Sequence, residues 1–532
     1  MDVAKPDSKD PFHRLIGSEV WLLLEKLSQF LDGQNVDSYL VGGFVRDAML
    51  VRETADIDIA VASDALEVAS KVAVAFDGRY VLLDKENRIA RVVLPATDGS
   101  ETATDSLPRA EPKGLPPHFD FSTFDGAIER DLARRDFTVN AMAVRLNRLN
   151  KGISKAQIID PFGGRDDLVH HIIKAVTATV FEADAVRLLR AVRLAAELGF
   201  SIDRQTESLI RLYSHLISGV AGERVREELM RLLACPPSLQ TKDYSRRAID
   251  GAETLRQLDD LDLLTKLIPE MAEAKGVEQP KEHHWDVFEH SLRTVAAVDY
   301  LLRRGSWEFS GEAVLAAVPW SGALAEHFDS EVGFGSTRRT LLKLAALLHD
   351  VNKPQTKAFD ANGRMRFLGH PLEGAARVVM ILERLRFSGK EIKLVETEVM
   401  HHMRPTQLSN EGLPTNKAIY RYFRDTGDAG LDILFLSLAD HLATRGPDLR
   451  SDGWGEHTRL VEYVIGKRFE QEKIVNPPKL VDGYDIIKFF RTTPGPEVGE
   501  MLELVREAQA SGEITTREEA LSFIERLKKK NA

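Results

Sequence analysis

Cysteine is almost absent. Cys235 is the single cysteine in 532 residues, which excludes an intramolecular disulfide and a cysteine-rich zinc site and fits a reducing, cytoplasmic setting. No apolar run reaches the length that spans a bilayer, and the opening residues, MDVAKPDSKDPFHR, lack the apolar core of a secretory signal, so no membrane partner is expected. There is no low-complexity tract and no fixed-period repeat. An excess of positive charge is also missing: the net charge is −11 and the pI is near 5.8. That argues against a chain coated in nucleic acid but not against local basic faces, and RDLARR and VRLLRAVR supply such faces. What is present is an ordinary globular composition, 43% hydrophobic and 29% charged, over a length that suggests about three or four domains.

Residues 12–36 carry a helix-like apolar pattern. From 38 to 175 the pattern is α/β, with strands expected at SYLVG, DIDIAVA, RYVLL, RIARVVLP, HFDFSTF and TVNAMAVRL, and helices after Gly42-Gly43 and at DALEVASKVAVAF. The polar segment 96–117, rich in Ser, Thr, Pro and Gly, reads as an insert between two strands. Beyond about 176 the pattern is helical throughout. The expected architecture is α+β. A segment 1–37 precedes a head, 38–175, with a small mixed β-sheet and helices; an all-α neck (176–278), a histidine-rich helical domain (279–445) and a helical tail (446–532) follow.

The head carries the first chemical signal. Asp56 and Asp58 flank Ile57 in an apolar strand, so both carboxylates point to one face and Ile57 to the other. Adjacent carboxylates repel and are costly to bury unless they share a cation. Oxygen ligands suit Mg²⁺, and two such ions ~3.5–4 Å apart activate an attacking hydroxyl and stabilise a leaving pyrophosphate. Gly42-Gly43 lies between a strand and a helix whose N-terminus offers N–H groups to a phosphate, with Arg46 one turn in as a forked donor. A lone Gly-Gly is usually a tight turn and a lone Asp-x-Asp is usually surface. In this order, on these elements, they point to phosphoryl chemistry.

Four motifs extend the pattern: GGFVRD, DID, RRDFTVNA and DPFGGRDDL, in that order. Together they resemble the class II tRNA nucleotidyltransferase and bacterial poly(A) polymerase family, over roughly residues 38–240. The resemblance implies that Gly43, Arg46 and Arg135 contact the incoming nucleotide and that Asp56 and Asp58 hold Mg²⁺. Asp136 either orients Arg135 or forms a structural ion pair, and Asp120 is a candidate third acid on a neighbouring strand.

The stretch FEADAVRLLRAVRLAAELGF (181–200) reads as one helix, with Val186, Leu189, Val192 and Ala196 on its apolar face. Asp184, Arg187 and Arg190 form a polar stripe that the pattern alone reads as a solvated edge. By resemblance, this is where the family places the residues that read the base. A carboxylate accepts from an exocyclic amino group and a guanidinium donates to a ring acceptor, a pairing that suits cytosine and adenine. Asp184 with Arg187 then selects CTP and ATP, and Arg190 adds a nucleotide contact. Two positions depart from the family pattern: Ala183 stands where a glutamate usually precedes the aspartate, and Val51 where a glycine usually ends the first helix. The segment before RRDFT is short, a feature associated in this family with enzymes that add C but not the terminal A.

A third group of motifs, HHWDVFEHSLRTV, LLKLAALLHDVNKP, FLGHPLEGA, EVMHHMRP and LSLADHLATR, sets His or Asp on or beside apolar helices. This group resembles the HD phosphohydrolase superfamily. The resemblance implies one metal on His290, His349, Asp350 and Asp440, and a possible second on His370 with His401 or His402. Imidazole ligands suit Mn²⁺, Ni²⁺, Co²⁺ or Fe²⁺, the expected reaction is hydrolysis of phosphate esters, and Lys353 is expected near a phosphate. The tail is expected to pack near the tRNA path.

The implied activity is template-independent extension of the tRNA 3′ end with C and A from CTP and ATP. The primer 3′-hydroxyl attacks the α-phosphate in line, and tRNA is held by its backbone and shape. The alternatives are CC addition only, then poly(A) synthesis, then an HD phosphohydrolase with an RNA-binding head.

Overall fold

A computed structural model of the chain describes residues 18–52, 56–95, 118–151, 157–235, 251–309, 311–333, 335–408, 412–470 and 477–531. The insert expected at 96–117 lies outside the described residues, as does the start of the pattern at 12–36. The chain divides into two compact units, residues 1–216 and 217–532.

In the first unit, helix α1 (Ser18–Gly33) is followed by strand β1 (Ser38–Val41), helix α2 (Gly43–Met49), strand β2 (Asp56–Val61) and helix α3 (Ala65–Ala75). Strands β3 (Arg79–Asp84), β4 (Ile89–Val93), β5 (His118–Thr123), β6 (Ala143–Arg145) and β7 (Ile158–Ile159) complete a sheet of order β3-β4-β5-β2-β1-β6-β7 among the described residues. The β2–β5 pair is parallel and the other neighbours are antiparallel, so the sheet is mixed as expected. Strand alternation explains what faces where. Ile57, Ile59 and Val61 are buried on one side of β2, while Asp58 and Ala60 share the other. On that second side Ala60 packs with Val41, Ile128 and Leu132. Helix α3 starts at Asp64, whose carboxylate accepts the Leu66 N–H at 2.9 Å, and it buries Ala65, Val68, Ala69 and Val72.

Two elements differ from the sequence expectation. The strand expected over TVNAMAVRL shrinks to β6, because Thr138–Asn140 forms a 3₁₀ turn. Long-range bonds hold that turn: the Thr138 N–H donates to Lys174 O, and the Thr138 hydroxyl donates to Asp167 at 2.7 Å. Gly164 of DPFGGRDDL lies directly on it, since a Cβ there would stand 2.2 Å from Thr138 O. The single helix expected at 181–200 is interrupted: a turn of helix at Val180–Ala183 stops at Asp184, and helix α4 runs Arg187–Leu198. Asp184 is extended (φ −157°) and its carboxylate accepts the Val186 N–H at 3.3 Å, so the acid breaks the helix just ahead of the next one.

The second unit is mainly helical. Helix α5 (Val287–Leu301) packs along α6 (Arg338–Leu348) and α10 (Gly430–Arg445), while α7 (His370–Arg384) pairs with α8 (Gly389–His401). Lys343 of α6 is fully buried, its ammonium 2.9 Å from Asp299 and 2.6 Å from Leu233 O, which satisfies a cation that would otherwise be costly there. Helices Gly483–Phe490, α11 (Pro496–Ala510) and Arg517–Asn531 close on a small core of their own, including Ile486, Val505, Ile514 and Ile524. Helix α11 docks on α9 (Asn416–Thr426) through Glu507, which Lys417 and Arg421 grip at 2.9 and 2.5 Å.

Candidate active site and metal clusters

Strand register brings three charged residues into a row on one face of the sheet. Asp58 of β2 is opposite Asp120 of β5, and Asp120 is opposite Arg91 of β4. Arg91 donates two bonds of 2.7 Å to the Asp120 carboxylate, so the candidate third acid already has a forked cationic partner. Asp56 opens β2 beside His118, but its side chain lies outside the described residues. A cleft of about 390 Å³ is walled by Asp58, Asp120, Asp131, Arg135, Arg187 and Arg190, among others. Arg46 and Asp184 are not among its walls.

The glycine this geometry requires is Gly42 rather than Gly43. Gly42 has φ +71°, and a Cβ there would stand 2.6 Å from Arg135 Nη1 and 2.9 Å from Asp58 Oδ2. A Cβ on Gly43 would meet nothing closer than Arg46 Nη2 at 3.5 Å.

A buried polar chain lies behind the cleft. Arg46 donates to Asp47 at 2.9 and 2.8 Å and to Asn140 Oδ1 at 2.7 Å, so its guanidinium is engaged within the fold. Asn140 donates in turn to Asp136 at 3.0 Å, and Arg190 reaches the same carboxylate at 3.3 Å. Burial alone would push the Asp136 carboxyl up. The Arg190 charge and the Asn140 and Phe137 donors outweigh it and hold the group below the usual carboxylate range. Arg135 rests on Asp131 at 3.2 Å, which resolves the question of its partner: Asp136 serves Arg190 instead. Asp184 and Arg187 come together at 3.9 Å, and Arg187 also donates to Arg134 O at 3.0 Å.

In the second unit, six side chains form two groups able to hold a metal ion: His290, His349 and Asp440, and Asp350, His370 and His402. Asp350 lies between them. Its Oδ2 is 3.2 Å from His349 Nε2 and 3.5 Å from His290 Nε2, and its Oδ1 is 3.3 Å from His370 Nε2. His401, the other candidate, is half-exposed, lines a separate cleft with Lys393 and Arg424, and joins neither group. The Nδ1 atoms of His349, His370 and His402 lie 2.8, 2.7 and 2.7 Å from the carbonyls of Ala346, Phe367 and Val399. These contacts put the proton on Nδ1 and leave Nε2 bare. His290 and His349 then face each other through Nε2 at 3.2 Å, and His370 and His402 at 3.4 Å. At His370 and His402 bare nitrogens and an Asp350 oxygen oppose lone pair to lone pair, and a shared cation removes that repulsion, whereas His290 Nε2 lies 3.1 Å from Asp440 and can donate to it. The residues fit a divalent ion in each group.

Electrostatics agree with that fit at His402 and His290 but not at His349, where burial is outweighed by Asp350 and the imidazole is raised. Burial pushes His402 down to about 4, with the nearby His349 adding to it, and burial lowers His290 against the opposing pull of Asp440. Burial would raise the Asp350 carboxyl, but His349 and Lys353 hold it well below the usual range. Lys353 sits 2.6 Å from Asp350 Oδ2. His283, which the sequence reading passed over, has its ring 5.5 Å from that of His290, and burial with the Lys353 charge pushes it down to about 3.

Residues 38–174 match the poly A polymerase head domain, 199–242 the probable RNA and SrmB-binding site of polymerase A, and 287–445 the HD domain. The A-adding tRNA nucleotidyltransferase of Deinococcus radiodurans is 33% identical over 92% of this chain and 94% of its own length. The CC-adding tRNA nucleotidyltransferase of Thermus thermophilus is 34% identical over 92% and 93%. The chain belongs to the tRNA nucleotidyltransferase family. A solved CCA-adding enzyme in complex with ATP shares the fold at 21% identity, with a TM-score of 0.59 over 98% of this chain and 97% of that one.

In this tRNA nucleotidyltransferase the head brings a carboxylate, Asp58, and a guanidinium, Arg135, to a glycine that leaves them room. Sequence reading missed Arg91, Asp131 and Asn140 as parts of the site, and took Gly42 only as one half of a glycine pair. Asn140 had a visible signal, its place inside RRDFTVNA. Arg91 and Asp131 become evident only from the register and from the fold of the turn.

Proposed function

We propose that this chain is a template-independent tRNA nucleotidyltransferase that extends the tRNA 3′ end with C and A from CTP and ATP. The observation that carries the reading is the convergence of Asp58 and Arg135 over Gly42 in a cleft whose other walls include Arg187 and Arg190. Asp56 and Asp58 would hold Mg²⁺, which when bound supplies charge neutralisation at the reacting phosphate and the leaving pyrophosphate. Arg135, braced by Asp131, grips the triphosphate. The primer 3′-hydroxyl forms a bond to the α-phosphorus as the bond to pyrophosphate breaks. Asp184 accepts from the exocyclic amino group and Arg187 donates to the ring acceptor, a match to cytosine and adenine. Arg46 acts at one remove, holding Asn140, Asp136 and Arg190 in place rather than gripping phosphate, and Arg190 completes the nucleotide surround.

In the same reading residues 38–175 are the head, 176–278 the base-selecting neck, 279–445 the HD domain and 446–532 the tail, in a cytoplasmic enzyme. The HD groups suit Mn²⁺, Ni²⁺, Co²⁺ or Fe²⁺ and phosphate-ester hydrolysis.

A second reading, addition of one nucleotide type only, is favoured by a specific observation. The relatives that align with this chain over 92% of its length carry the names A-adding and CC-adding, while CCA-adding relatives such as that of Geobacillus stearothermophilus align over 43%. Replacing Asp58 by Ala and Arg187 by Ala separates the roles. Asp58→Ala abolishes incorporation of every nucleotide, whereas Arg187→Ala keeps transfer but admits GTP and UTP. Retained incorporation in Asp58→Ala would remove that residue from the site.

A further inference from the structure

We propose that the hairpin formed by Lys357–Phe359 and Met365–Phe367 is a base-stacking arm that seats the 3′-terminal nucleoside phosphate of an RNA at the HD metal clusters. The inference rests on the phosphohydrolase reading of that unit and supplies its substrate class. The strands pair Lys357 with Phe367, Ala358 with Arg366 and Phe359 with Met365. Side chains opposite each other, or two apart along a strand, share a face. Lys357, Phe359, Met365 and Phe367 therefore line one face, and Ala358 and Arg366 the other.

The inner end of that face is fixed to the metal cluster. The Phe367 carbonyl receives His370 Nδ1 at 2.7 Å, and the Lys353 ammonium stands 5.5 Å from the centre of the Phe367 ring while lying 2.6 Å from Asp350. The outer end is open: Phe359 is 64% exposed, and Leu368 and Leu372, on either side of His370, are 80% and 65% exposed. Single exposed apolar residues mean little, but Phe359 is an aromatic ring left open on the face whose inner end, Phe367, is tied to a candidate ligand histidine.

Charge identifies the occupant. Lys357 lies on the apolar face and Arg364 is exposed at the turn, while Lys353 at the inner end is buried and bonded to Asp350 and Gln279. The nearby acids are engaged elsewhere, Asp360 by Arg366 at 3.1 Å and by the turn N–H groups, and Glu373 by Asn352 at 2.9 Å. An exposed aromatic ring beside cations is the combination that takes up a base by its π-face and a backbone by its charge. From the Phe367 position to the Phe359–Met365 pair is two residues, ~6.6 Å along a strand, a span that lets a phosphate sit at the clusters while its base lies on Phe359.

The test uses the full chain loaded with Mn²⁺ and 8-azidoadenosine 3′-monophosphate as a photoprobe, with labelled peptides mapped by mass spectrometry. The wild type is expected to label within 357–372, with adenosine 3′-monophosphate but not glycerol 2-phosphate competing. Phe359→Ala should cut that labelling about 10-fold, the order set by loss of one base stack, while Phe359→Trp retains it. Bound metal, melting temperature and turnover of glycerol 2-phosphate should not change between these variants. Labelling only outside the hairpin, or equal labelling in Phe359→Ala, overturns the proposal. If the hairpin labels but the chain retains no metal and releases no phosphate, the base-binding arm stands and the hydrolase reading falls.

Discussion

Replacing Gly42 by alanine should damage catalysis far more than folding. The residue has φ +71° and ψ −138°, outside the left-handed helical region and close to the region that essentially only glycine adopts, a strain of ~1–3 kcal/mol for an L-residue. The added methyl would also stand 2.6 Å from Arg135 Nη1 and 2.9 Å from Asp58 Oδ2. Both atoms are the far ends of flexible side chains, so the clash is relieved by moving them, on the order of 1 Å, out of the positions the reaction uses. A displacement of that size at a reacting centre costs roughly 100-fold in rate. A stability loss of ~1–3 kcal/mol lowers the Tm by only a few degrees in a chain of this size. Gly43→Ala is the control, because its methyl would meet Arg46 at an ordinary 3.5 Å. The assay is single-turnover incorporation of CTP on a tRNA transcript, with thermal melts of the same preparations. Near-normal incorporation by Gly42→Ala would refute the geometric argument, and so would a Gly43→Ala defect as severe as that of Gly42→Ala.

Glu507 fastens the tail, and its carboxyl is held at about 2, first by the Arg421 hydrogen bonds and then by Lys417. A depressed pKa gives stability that is complete above the unfolded value of about 4.3 and lost as pH falls towards 2. Glu507→Gln should therefore destabilise the chain at pH 7 by about 1 kcal/mol, a modest figure because the partner cations are partly exposed and screened. Melts as a function of pH should show the difference from wild type shrinking below pH ~4; a gap as large at pH ~2.5 as at pH 7 would contradict the linkage. Val51 stands at φ +63° and is exposed, so Val51→Gly should raise stability by about 0.5–1 kcal/mol, and a lowered Tm would contradict the strain. Asp350→Asn should remove bound metal, read by elemental analysis, while leaving CTP incorporation intact. Full metal retention would show that this carboxylate does not join the two groups.

Much of this was legible in local pattern. Period-two alternation placed Asp58 on the open face of β2, and the apolar run ending in His349-Asp350 placed those two side chains at the end of a buried helix. What escaped depends on partners far apart in sequence. Arg46 reads as a phosphate ligand one turn into its helix, but the Asn140 side chain, 94 positions away, captures it. Asp184 reads as part of the first turn of a helix because its neighbours favour helix, yet it is extended and its carboxylate accepts the Val186 N–H. The choice of His402 over His401 was within reach: Glu391, Val395 and Glu398 are buried at helical spacing on α8, and His402 continues that stripe.

The central claim is nucleotidyl transfer to the tRNA 3′ end, and three transcripts test it most directly: one ending before the first C, one after CC and one after CCA, each offered CTP and ATP singly and together. The account predicts growth to CCA from the first, a single A on the second when ATP is present, and no extension of the third. A halt at CC, or A addition alone, would reduce the enzyme to one nucleotide type. No incorporation on any transcript, or long A runs on all of them, would contradict the account.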